Sequence, residues 1–256
     1  MKPSIYIAAS GALANQFRME ILANNLSNLD TVGFKKDQAI LRGITPFNLL
    51  SENLYIAPRF QSQSPFIVYA PTLVVLDGTT SDFSPGQLKA TNNSLDLALD
   101  GSGFFSVETP EGIRYTRKGN FTLNQKGEIV TEEGFPLLGE GGKIKVGGGE
   151  VAINSKGEVI INGSPVDRIK VVDFPRPYRL KKQGNSLFVL LNSKIKEKPA
   201  EGVEVKQGYL ETSNVDPVDT LVRMIEVLRT YESFQKLIQA TDESMAKAIN
   251  EVGKTR

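Results

Sequence analysis

The chain has 256 residues, with 30 basic and 29 acidic side chains and no histidine, cysteine or tryptophan. Without His and Cys it has no thiol nucleophile, no Cys/His zinc site, no Ser-His-Asp triad and no imidazole base; carboxylates, Lys and Tyr remain, so composition alone does not exclude catalysis, but no enzyme is expected and no catalytic, cofactor-binding or metal-binding residue is assigned. A net charge of +1 without a clustered basic stripe offers nothing to neutralise phosphates, and no run approaches the ~18 apolar residues of a membrane span, so neither nucleic-acid binding nor membrane insertion is expected.

The start Met1-Lys2-Pro3-Ser4-Ile5 lacks the apolar run and small-residue cleavage site of a removable secretory signal. From there Ile5, Ala8, Ala12, Asn15, Met19, Leu22, Leu26 and Leu29 recur in alternating steps of three and four, the pattern of a helix with a heptad seam. Asn15 is its one polar position; it either fixes register or touches water at a wide seam. Ala9, Leu13 and Ile21 add apolar positions beside the seam and imply more than one neighbour. Gly33 is placed to turn the chain, with the helix ending near Asn28. Residues 1–34 are assigned to this helix.

Residues 35–84 are expected to be an irregular connector with short strands, interrupted by Pro46, Pro58, Pro65 and Pro71 around the apolar patch Phe66-Ile67-Val68-Tyr69. Lys35-Lys36 and the later Lys181-Lys182 are read as solvated surface pairs.

Residues 85–207 carry short runs of Val, Ile, Phe and Thr between Gly, Pro and Asn, the mark of an all-β domain with tight turns. Two segments echo one another, 121–130 and 151–160, each with an Asn-x-Lys-Gly loop suited to a β-hairpin whose glycine takes a left-handed conformation. Gly139-Glu140-Gly141-Gly142-Lys143-Ile144 lacks the spacing of a phosphate loop and reads as a turn. Asp96 and Asp100 could be imagined as a hydrolytic carboxylate pair, but strand alternation would place both on one solvated face.

Residues 208–256 are assigned to a second helix, begun by Asp216-Pro217. Its seam is read as Val218, Leu221, Ile225 and Leu228, then Tyr231, Phe234, Ile238, Thr241, Met245 and onward. It slips at Leu228 to Tyr231, which suggests that the helix passes from an intrachain partner in its first half to a neighbouring subunit in its second. The fold class is therefore α+β: a mainly β centre with terminal helices forming a coiled-coil-like helical domain.

Three stretches then resemble bacterial flagellar basal-body rod and hook proteins. The first is Ala23-Asn24-Asn25-Leu26-Ser27-Asn28 with Thr31-Val32-Gly33-Phe34-Lys35, whose signature positions here are Asn24, Asn25, Asn28, Gly33 and Phe34. The second runs from Asn93 to Phe105 and on through Tyr115-Thr116-Arg117-Lys118-Gly119-Asn120-Phe121. The third is Gln207-Gly208-Tyr209-Leu210-Glu211-Thr212-Ser213-Asn214-Val215, leading to Arg223-Met224-Ile225. The short length favours the rod over the hook, and Ile5-Tyr6-Ile7-Ala8, the 139–142 segment and Asp242-Glu243 look more like a proximal than a distal rod subunit. The resemblance implies a structural subunit with terminal helices packed in an axial tube and the β domain outside. It further implies export by the flagellar type III apparatus without a cleaved signal, residence in the rod across the periplasm, and other rod proteins and copies of itself as partners. Two rivals are a hook-basal-body-like adaptor that does not polymerise and a carbohydrate-binding β protein dimerised by its helices; the second lacks tryptophan for a sugar platform.

Overall fold

The computed structural model describes residues 3–44, 72–147, 149–192 and 195–253. The chain forms two compact units. Unit 1 comprises 1–26, 37–80 and 217–256; unit 2 comprises 27–36 and 81–216. The architecture is α+β, with one long helix near each end and a β-rich centre.

Unit 1 is built on α1 (Pro3–Ser27) and α2 (Pro217–Gly253), together with the paired strands β1 (Asp37–Ile44) and β2 (Leu73–Ser81). All seam residues expected in α1 turn away from solvent: Ala8, Ala12 and Asn15 are buried, while Ile5, Met19, Leu22 and Leu26 are half-buried. Leu29, also half-buried, lies in the turn beyond the helix. The fully buried part of the face, Ala8, Gly11, Ala12 and Asn15, is made of small residues, which lets a neighbour approach closely. At Gly11 an added Cβ would stand only 2.5 Å from Cζ of Phe234, so the Phe234 ring of α2 occupies the space a side chain would need. One turn on, Asn15 donates its amide to the Gly11 carbonyl at 2.8 Å, which satisfies a polar group that burial would otherwise penalise.

The seam of α2 needs a correction. The inward-turned residues are Thr220, Met224, Val227, Tyr231, Phe234, Ile238, Thr241 and Met245, in unbroken steps of four and three. The slip read at Leu228 to Tyr231 is absent. It arose because Val218, Leu221, Ile225 and Leu228 are more apolar than Thr220 and Met224, yet they form a second, exposed stripe on the same turns.

Unit 2 holds a six-stranded antiparallel sheet in the order Leu180–Gly184, Leu187–Leu190, Gly112–Thr116, Phe104–Thr109, Val171–Asp173 and Lys198–Pro199. Successive strand residues face opposite sides. Phe104 therefore packs with Phe83, Phe174 and Phe188, while Phe105 joins Phe121, Ile129 and Leu137 in the larger core. The echoed segments are hairpins of one design. Asn124 and Asn154 each accept two backbone N–H groups across the turn, and Gly127 and Gly157 sit at φ +71° and +78°. The 139–144 stretch is the expected turn, pairing Gly139 with Gly142.

Two surface readings fail in unit 2. Leu97, Ala98 and Leu99 are buried, so both faces of the strand are covered there and the alternation expected does not place both acids in solvent: Asp96 is buried and accepts from the Asn93 amide at 3.1 Å, whereas exposed Asp100 pairs with Lys206. Lys35 is wholly buried, because an acidic partner distant in sequence meets it. Pro46, Pro58, Pro65, Pro71 and the Phe66–Tyr69 patch lie outside the described residues.

Candidate assembly surfaces and a buried signature cluster

On α2, Val218, Leu221, Val222, Ile225 and Leu228 form an outward apolar stripe over the first three turns; Val218 is 69% exposed and Ile225 51%. On α1, Tyr6, Leu13 and Phe17 share a second exposed face at spacings of seven and four. A solvated helix face normally carries polar groups, and contiguous apolar patches mark interaction sites. Of the expected C-terminal seam, Val218, Leu221, Ile225 and Leu228 are thus outward, and Tyr231, Phe234, Ile238 and Met245 inward. Thr220, Met224 and Val227 were missed by the sequence reading, although they share the heptad phase of Tyr231 and could have been found by running that seam backwards.

The signature residues near α1 act on backbone. Buried Asn25 clamps Asp37, donating to its carbonyl and accepting from its N–H, both at 2.8 Å. Asn28 accepts from the Thr31 hydroxyl at 3.1 Å in the turn that ends the helix, while Asn24 stays exposed. Gly33 has φ +64°, and a Cβ there would meet the Arg117 and Lys118 backbone at 2.5 Å, so both conformation and space demand glycine. Phe34 is buried, with the Lys182 ammonium 3.9 Å from its ring centre.

Lys35, Arg117 and Glu211 draw the three resembling stretches together inside unit 2. The Lys35 ammonium donates to Glu211 Oε1 at 2.6 Å and to the Ser84 carbonyl at 2.7 Å; Arg117 donates to Glu211 Oε2 at 3.2 Å and to the Leu99 carbonyl at 3.2 Å. The Gly86 N–H also donates to Glu211 Oε1, at 2.8 Å. Burial pulls the Lys35 pKa below the usual lysine value, and the Glu211 charge and hydrogen bond oppose that pull. Around this pair, the Lys36 N–H donates to Asn214 Oδ1, and the Asn214 amide donates to the carbonyls of Asp82 and Ser84.

Among the described residues no cluster of three or more His, Cys, Asp or Glu could hold a metal ion, and no helix is long and apolar enough to cross a membrane. A cleft of about 540 Å³ in unit 2 is lined by Leu138, Ile169, Lys170, Val171, Glu197 and Val203, among others, without an aromatic ring on which a sugar could stack.

Three family models match: the flagella basal body rod protein at residues 5–35, the flagellar hook protein FlgE/F/G D1 domain at 98–161, and the flagellar basal body rod FlgEFG protein C-terminal at 206–251. The chain is 32% identical to the flagellar basal-body rod protein FlgF of Caulobacter vibrioides, with 99% of each chain covered. It is 32% identical to the flagellar basal-body rod protein FlgG of Bacillus subtilis, over 98% of this chain and 99% of that one. The hook-basal body complex protein FlhO of Bacillus subtilis is 33% identical, over 99% and 100%.

Proposed function

Because the chain belongs to the flagellar basal-body rod protein family, of the FlgF/FlgG type, and is a structural subunit of the rod, we propose that it polymerises through the outward apolar stripes of its helices. The observation that carries this reading is the exposed Val218, Leu221, Ile225 and Leu228 stripe, which lies beside a seam already occupied within the chain. A head-to-tail contact whose rotation does not close builds a helical filament, and two helices with outward apolar faces supply the two sides of such a contact. In this reading the helices line the axial drive shaft around the export channel and transmit torque, while residues 85–207 form the outer domain. The subunit reaches the periplasm-spanning rod through the flagellar type III apparatus, without a cleaved signal, and meets other rod proteins and its own copies there. It performs no catalysis.

The test is to place Leu221→Asp and Ile225→Asp singly in cells that make only the variant chain. Each is expected to leave the circular dichroism of the purified chain unchanged, because the carboxylate enters an exposed stripe. In the assembled rod that carboxylate would be buried unpaired, so the variant should be missing from purified basal bodies and the cells non-motile. Normal incorporation of both variants would contradict the stripe as an assembly surface. Recovery of wild-type chain bound to basal bodies but never in contact with another copy would favour the non-polymerising adaptor instead.

A further inference from the structure

Residues 33–36 and 211–214 both lie in unit 2, the first just after α1 and the second just before α2. They are bonded side by side. The Gly33 N–H donates to the Glu211 carbonyl at 2.8 Å, and the Asn214 N–H donates to the Phe34 carbonyl at 3.4 Å. The Lys36 N–H donates to Asn214 Oδ1 at 2.8 Å, and Lys35 closes the 2.6 Å ion pair with Glu211. Partners advance in the same sense along both segments, from 33 with 211 to 34 and 36 with 214, so the two run parallel.

Direction decides how such a tie breaks. When the chain is drawn apart through its ends, the first segment is pulled from its beginning and the second from its finish. In a parallel pair these points lie at opposite ends, so every bond is sheared together; in an antiparallel pair the bonds would be peeled off one by one. The tie also joins residues 176 positions apart, so load crossing it bypasses the intervening chain. The Lys182 ammonium bonded to the Lys35 carbonyl braces it from a third segment.

We propose that Lys35, Glu211 and Asn214 form a mechanical clamp, which carries tension between the terminal helices and keeps the chain between them, including the β cores, unloaded. Its use in torque transmission rests on the rod assignment, but the clamp is a property of the single chain and is tested there.

The chain has no cysteine of its own, so Ser4→Cys and Ser244→Cys, both exposed, give unique attachment points for single-molecule pulling of the full chain. The final rupture should release the whole tied loop at once, roughly 600 Å of extension at ~3.4 Å per residue. Rupture under force is governed by the unfolding rate. At fixed load Lys35→Met and Asn214→Ala should each raise that rate at least tenfold without changing the length released. With attachment instead at Lys126→Cys and Lys181→Cys, inside the loop, the same two variants should change it less than threefold. Should Lys35→Met fail to fold, Asn214→Ala, which strands no charge, carries the test. Release of the loop in pieces before the final rupture, variants that rupture at the wild-type rate, or equal effects from both attachment geometries would each overturn the clamp. None of these results depends on whether the chain is found in basal bodies, so failure of the rod reading is scored separately.

Discussion

At the scale of single residues, the buried charges are unequal. Glu211 meets two cations and the Gly86 N–H, whereas Lys35 meets one carboxylate and the Ser84 carbonyl. Removing one partner of a buried pair strands the other, at a cost of about 3–5 kcal/mol. Glu211→Gln strands both Lys35 and Arg117 and should reach that range in urea unfolding of the full chain. Lys35→Met leaves the carboxylate with Arg117 and Gly86 and substitutes an apolar side chain of similar length, so it should cost less than half as much. A loss from Lys35→Met that equals or exceeds that from Glu211→Gln would show that the lysine, not the carboxylate, organises the cluster. Nothing local in the Phe34-Lys35-Lys36 stretch signals that its first lysine is buried; the cause lies at Glu211, and adjacent lysines ordinarily read as surface.

Between elements, the packing of α1 on α2 separates two kinds of apolar residue that share the same turns. Phe234 is inward and fills the space above Gly11, while Leu221 is outward. Phe234→Ala and Gly11→Val should therefore both lower the melting temperature of the helices, the first by leaving a cavity worth up to about 3–5 kcal/mol and the second by overpacking worth about 1–3 kcal/mol. Leu221→Ala should change the melting temperature little and affect assembly instead. Thermal circular dichroism at 222 nm, set beside incorporation into basal bodies, checks all three, and a Leu221→Ala chain that melts as early as Phe234→Ala would return that residue to the intrachain seam. The helices were legible because heptad periodicity is a local property, and so were the hairpins, because an Asn-x-Lys-Gly turn carries its own geometry. What periodicity could not tell is which of two apolar stripes is covered: Val218 to Leu228 scores as a seam whether it faces a helix or water, and polar Thr220 conceals the seam that is covered. The burial of Leu97, Ala98 and Leu99 on both faces was hidden likewise, since alternation predicts an open face only where no second layer covers it.

For the whole molecule, the division into units sets where the chain can be cut. Unit 2 runs to Asp216 and includes Glu211, Asn214 and the strand Tyr209–Glu211 paired with Leu88–Ala90, so it is complete before α2 begins. A chain ending at Asp216 should thus keep its β circular dichroism and slow hydrogen exchange in the cores around Phe104 and Phe105. It should lose α1 as an ordered helix, because 25 residues without the inward face of α2 are only marginally helical in water, and it should fail to enter basal bodies. A chain ending at Gln207 removes nine further residues, and these contain the only carboxylate that meets Lys35 and Arg117 among the described residues. Two stranded cations and an unpaired edge at Leu88–Ala90 then act on unit 2 itself, so exchange protection around the cores should fall by orders of magnitude. Equal protection in the two truncations would mean that the β cores hold without the signature cluster, and loss of protection already in the longer one would mean that α2 is part of the fold of unit 2.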